Sequence, residues 1–188
     1  PQAIPRRLIF PRDYGAHLDF RTEWWYLTGW LGQGSTAIGF QITFFRSRTQ
    51  HAIENPSRLA PQQLLFAHAA LAVAKQDIFL HANRAGRLSG TTLRAENTDT
   101  NLQFEGWHLR RMQRAETDVY EGRFAGEGFA VSFEASTQQP VILRGEAGLS
   151  KKGPQAKQAS YYYSRAPLHV NASVVLGKQT QILEGKAW

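Results

Sequence analysis

A period of two governs this chain. Residues 128-GFAVSFEAS-136 place Phe129, Val131, Phe133 and Ala135 on one side of an extended backbone and Ala130, Ser132, Glu134 and Ser136 on the other. Successive side chains of a strand point to opposite faces, so this alternation predicts a strand with one face buried. Comparable runs fall at 23–31, 37–46, 64–74, 78–84, 102–110, 117–124, 141–146, 159–165, 167–176 and 179–188. Turn-forming stretches separate them: GQG at 32–34, KQD at 75–77, AGRLSG at 85–90, GEG at 126–128, KKGP at 151–154 and GKQT at 177–180. About ten short strands without a convincing amphipathic helix predict an all-β, antiparallel barrel or strongly curved sandwich. The one long connection, 47-SRTQHAIENPSRLAPQQ-63, carries two prolines and has room for a short helical turn. Connections of that length often serve as lids or binding loops.

With 188 residues and no internal repeat or break in composition, the chain reads as a single domain, 1–188. Apolar residues make up 42% and charged residues 20%, a globular rather than disordered profile. The longest apolar run, Phe66 to Ala74, contains His68 and is far too short to cross a bilayer as a helix. Cysteine is absent, which excludes disulfides, thiolate metal sites and a thiol nucleophile. The net charge of +7 comes from sixteen arginines and six lysines against fifteen acids. The arginines are scattered and the densest cluster, 110-RRMQR-114, is framed by no nucleic-acid motif, so no nucleic-acid partner is expected. No secretory leader opens the sequence.

Chemistry concentrates at 17-HLDFRTEWWYLTGWLGQG-34, where His17, Asp19 and Glu23 precede Trp24, Trp25, Tyr26 and Trp30. As a strand, this stretch shows Glu23, Trp25, Leu27, Gly29 and Leu31 on one face and Trp24, Tyr26, Thr28 and Trp30 on the other. The next strand divides Phe40, Ile42, Phe44 and Arg46 from Gly39, Gln41, Thr43 and Phe45. Large aromatics interleaved with Gln41 and Thr43 suit an apolar pocket with a few placed polar groups, or a solidly packed small barrel. His17 and Asp19 stand two apart and point the same way if extended, as a His–carboxylate pair or as turn-capping residues. His68 reads as a satisfied core histidine or as a tunable group near neutrality. In 160-SYYYSR-165, Tyr161 and Tyr163 share one side and Tyr162 takes the other, for cross-strand packing or for a phenol in a cavity. No HxxEH or HxH spacing, GxSxG elbow, P-loop or GxGxxG occurs, so neither a metal nor another cofactor is expected.

Taken together, H-x-D-F-x-x-E-W-W-Y-x-T-G-x-L at 17–31, Q-I-T-F-F-R at 41–46, F-A-H-A-A at 66–70, S-Y-Y-Y-S-R at 160–165 and E-G-x-A-W at 184–188 resemble the AttH-like proteins. That family includes bacterial carotenoid 1,2-hydratases (hydroxyneurosporene synthases) and many proteins described as secreted hydrolases. The resemblance implies a pair of lipocalin-like barrels, of which this chain is the N-terminal half. The partner is then the C-terminal barrel of the same protein. Its members usually continue past the A-W with an acidic D-x-E-W segment, whereas this sequence stops at Trp188. The implied location is periplasmic or secreted, or cytoplasmic and peripheral to a membrane for a carotenoid hydratase.

Three functions follow as expectations. The first is a lipocalin-like module holding an apolar or amphipathic ligand, lipid or isoprenoid, against Trp24, Trp25, Tyr26, Trp30, Gln41, Thr43, Phe44, Arg46, Tyr161, Tyr163 and Trp188. The second is a hydratase or hydrolase. There Asp19 or Glu23, kept protonated by burial, is the acid, the aromatic faces steady a carbocation, and His17 or His68 positions water. The third is a structural or transport accessory without a ligand.

Overall fold

The computed structural model describes residues 2–188 except Ile53, Pro56, Arg58, Leu59, Ala156 and Lys157. Alternation becomes strand throughout: β1 (Thr22–Leu31), β2 (Ile38–Arg48), β3 (Gln63–Val73), β4 (Ile78–Arg87), β5 (Leu93–Ala95), β6 (Asn101–Phe104), β7 (Trp107–Arg114), β8 (Thr117–Gly126) and β9 (Phe129–Thr137). Then come four short pieces, β10 (Ile142–Leu143), β11 (Leu149–Lys151), β12 (Ala159–Tyr161) and β13 (Tyr163–Ser164), and a closing hairpin, β14 (Leu168–Leu176) and β15 (Gln179–Ala187). Eleven strands form one antiparallel sheet in the order β4-β3-β2-β1-β15-β14-β9-β8-β7-β6-β5, curled nearly into a closed barrel. The short pieces pair outside it, β10 with β13 and β11 with β12.

The expected strand 102–110 is two strands, because Glu105 adopts a left-handed backbone (φ 54°) and turns the chain between β6 and β7. The run 159–165 is likewise divided into β12 and β13. Part of the expected helical turn in 47–63 lies outside the described residues, and those that are described there form no helix.

The inner faces are the apolar half of each alternation. Leu31, Ile42, Phe44, Leu65, Ala67, Leu71, Phe124, Val131 and Ala135 are wholly enclosed, and each large aliphatic or aromatic among them contributes about 1.5–3 kcal/mol by leaving water. Phe40 meets Phe133 at 5.7 Å between ring centres, and Phe124 meets Phe129 at 6.3 Å. This part of the barrel is a solid core, as a packed small barrel requires.

The first strand is the exception. It pairs with β2 along its whole length, but with β15 only at Gly29–Leu31. Thr28 and Trp188 add a reciprocal pair of main-chain bonds at 3.0 Å. Beyond that point no strand among the described residues pairs with Thr22–Leu27 on the β15 side. The segment Ala159–Arg165 lies beside this gap, but it spends main-chain bonds elsewhere: the Tyr162 amide donates to the Gly148 carbonyl and the Tyr162 carbonyl accepts from the Arg144 amide.

Candidate functional site

The open wall creates a cavity of about 530 Å³, within the range that holds a small organic ligand. Because β1 has no neighbour there, both of its faces border the space. Trp25 and Leu27 contribute from inside, and Trp24 and Tyr26 from outside. The far wall comes from Tyr161, Tyr162, Tyr163 and Arg165, with Trp188 at the end of β15.

One side of the cavity is a continuous chain of charges. Residues 12–14 form a single 3₁₀ turn that buries Asp13. His17 Nε2 lies 2.7 Å from Asp13 Oδ1, and His17 Nδ1 lies 2.8 Å from Glu23 Oε1. The outer ends are arginines. Arg6 forks onto both oxygens of Asp13 at 2.7 and 2.9 Å. Arg46 Nε donates to Glu23 Oε2 at 2.7 Å. With a carboxylate at each ring nitrogen, His17 satisfies both only as an imidazolium, the form this arrangement favours. The Glu23 bond, partly opposed by burial and then reinforced by Asp13, raises its pKa. Burial alone would raise the Asp13 carboxyl, but bonds from Arg6, the Ile9 amide and His17 outweigh it and hold its pKa well below the usual carboxylate range.

Arg46 is fully buried. Its remaining donors reach Gln63 Oε1 at 2.6 Å and the carbonyls of His17 and Phe20 at 3.1 and 2.7 Å. Such satisfaction is what a buried guanidinium requires. It clamps the turn 17–20 onto β2 and β3. Trp25 Nε1 donates to the Tyr14 carbonyl at 2.9 Å, tying the N-terminal segment to β1. A second ionic group lies deeper: Arg111 bonds Asp99 at 2.7 Å and also Asp118, which accepts from Arg165 as well.

The sequence-predicted residues separate into two groups. His17, Glu23, Trp24, Trp25, Tyr26, Tyr161, Tyr163 and Trp188 all border the cavity. Asp19 does not: it is exposed, and the carboxylate paired with His17 is Asp13 instead. His68 is exposed on the outer face of β3, 5.3 Å from the Phe45 ring, not in the core. The reason is register, since Leu65, Ala67, Ala69, Leu71 and Val73 take the inner face of β3. Gln41 lies exposed on the outer face of β2, and Thr43 lies buried on that same face under a 3.1 Å bond from Gln41. Phe44 belongs to the solid core, and Arg46 stands behind Glu23 rather than at the cavity surface. Trp30 is half exposed and packs edge-on against Trp188 at 6.4 Å. Asp13, Arg6 and Arg165 were not foreseen, and the phenol that reaches Tyr26 is Tyr162, on the other side of the 160–165 run from Tyr161 and Tyr163.

The profile of the AttH-like family matches residues 1–188, the whole chain. The chain belongs to the AttH-like family. This AttH-like barrel superposes on the crystal structure of an AttH protein from Nitrosomonas europaea with a TM-score of 0.87 at 38% identity. The match covers all of this chain and 56% of the Nitrosomonas chain. No curated protein matches the sequence. The family and the barrel fit a lipocalin-like module.

Proposed function

We propose that this AttH-like barrel binds an apolar or amphipathic small molecule, lipid or isoprenoid in character, in the cavity beside β1. The observation that carries the reading is the open wall itself. It exposes Trp24, Trp25 and Tyr26 to one 530 Å³ space, whereas Phe40, Phe44, Phe124, Phe129 and Phe133 are buried in a packed core. Apolar area buried there contributes about 25 cal/mol per Å², reduced by the cost of ordering the ligand. The cell envelope, periplasmic or secreted, is the location we assign. As the chain spans 56% of its Nitrosomonas relative, we assign a second barrel of the same protein as its partner. The test is mass spectrometry of an organic extract of the purified protein, with tryptophan quenching by polyenes and fatty acids. A co-purifying lipid and saturable quenching are expected. No ligand and no quenching would favour an accessory role without a small molecule.

A second reading, a hydratase or hydrolase acting on such a molecule, is favoured by the Asp13–His17–Glu23 chain at the cavity wall. Asp13 and Glu23 accept bonds from cations, so the proton available to an alkene or leaving group is that of the His17 imidazolium. This replaces Asp19 and Glu23 as the acid. Turnover lost in His17→Asn and retained in Asp19→Asn is the expected pattern. Equal loss in both variants would remove this assignment.

A further inference from the structure

We propose that the cavity seats the carboxylate head of an amphiphile at Tyr26, Tyr162 and Lys152, with its tail along Trp24 and Trp25. The proposal rests on the small-molecule reading above and adds the chemistry of one end of that molecule.

Tyr26 Oη and Tyr162 Oη are 2.7 Å apart. Two phenols carry two protons, and their mutual bond uses one, so the pair always keeps one O–H to donate elsewhere. Burial, followed by the bond to Tyr162, pushes the Tyr26 phenol up to about 12. The Lys152 ammonium sits over the Tyr162 ring, 5.0 Å from its centre, and has no carboxylate partner among the described residues. The Ser160 hydroxyl, on the same cavity, is buried and finds no partner among the described residues. All four residues line the cavity. A phenol proton, an ammonium and a spare hydroxyl are donors, and all belong to residues that line one space.

The acids of the cavity offer no competition. Asp13 and Glu23 are held by three cations, Arg6, His17 and Arg46, and Asp118 is shared between Arg111 and Arg165. Arg21 also borders the space without a carboxylate partner among the described residues. The local balance is therefore positive, and an incoming anion gains charge-assisted bonds. One phenol proton and one ammonium match the two oxygens of a carboxylate. A phosphate monoester is better met by a guanidinium fork or a cradle of backbone amides, and two of the three cavity guanidiniums, Arg6 and Arg165, are already occupied by Asp13 and Asp118.

The test compares dodecanoate with dodecan-1-ol by tryptophan quenching at low salt. Dodecanoate should bind at least tenfold tighter than the alcohol. Lys152→Met and Tyr162→Phe, each shown to unfold like the parent protein, should cut dodecanoate affinity about tenfold and leave the alcohol within twofold. Equal affinity for acid and alcohol, or variants that keep the acid preference, would overturn the head-group assignment and leave the cavity reading intact. Binding of neither probe would remove both.

Discussion

At the scale of single residues, the molecule is organised around two groups whose charges face each other inside the wall. His17 has a pKa raised above the ordinary value of 6.5, so its stabilising effect is complete below that value and is lost as pH rises through the raised one. Asp13 has a pKa depressed below 3.8, so its effect is complete above that value and is lost as pH falls. The contribution of this pair to the thermal unfolding temperature should therefore be flat between about pH 4 and 6.5 and decline on both sides, as a comparison of the parent with the double variant Asp13→Asn/His17→Gln reads out. His17→Gln should flatten the alkaline decline and leave the acid one. Arg46 gives a sharper test. Arg46→Met takes a donor from Gln63 Oε1 and from two carbonyls and leaves the Glu23 carboxylate with His17 alone, and should cost about 3–5 kcal/mol in urea unfolding. Adding Glu23→Gln to that variant should cost much less than Glu23→Gln in the parent protein, because the two act as one unit. His17 and Glu23 stand out in the sequence because they adjoin the aromatic strand. Asp13 does not, because it sits in a 3₁₀ turn where a period of two carries no information. Its only signal is the four-residue spacing to His17.

At the scale of elements, the strands were legible wherever large apolar side chains alternate with polar ones. They were less so where alanine stands on both faces, as in 66-FAHAALAVA-74. There the run reads as uniformly apolar, and His68 passes for a core residue although Leu65, Leu71 and Val73 already mark the inner face. His68→Ser should therefore change stability by no more than about 0.5 kcal/mol and leave ligand quenching unaltered. The junction of β1 and β15 is tight as well as short. A Cβ on Gly29 would stand 2.2 Å from the Lys186 carbonyl oxygen and 2.7 Å from Ala187 Cβ. These contacts cannot swing aside, so Gly29→Ala should destabilise by about 1–3 kcal/mol in denaturant unfolding. Gly106→Ala, which meets nothing within 4 Å, is the matched control and should be near neutral.

At the scale of the whole molecule, antiparallel closure was foreseeable from strand count and turn spacing, but the cavity was not. It depends on how far β15 runs along β1, a pairing between residues more than 150 positions apart, and no local pattern specifies where such a pairing stops. The same feature divides the barrel into a solid part and an open part, so a ligand touches only one. A ligand that binds the folded state alone, at a hundred times its Kd, should add about 2.7 kcal/mol and raise the unfolding temperature accordingly. Arg46→Met should lower that temperature with and without ligand by similar amounts if it acts only on the frame.

The strands β2 and β3 are joined at eleven positions and β14 and β15 at nine, but β1 and β15 at only three. Local opening is cheapest where fewest hydrogen bonds must break together. In deuterium exchange the amides of Gly29–Leu31 should therefore lose protection before those in the middle of β3 or β14. Each such excursion briefly lengthens the gap beside Trp25, so the speed of ligand uptake has a ceiling set by the protein. In rapid mixing the observed rate should level off at high ligand concentration, at the frequency with which this short fastening comes undone.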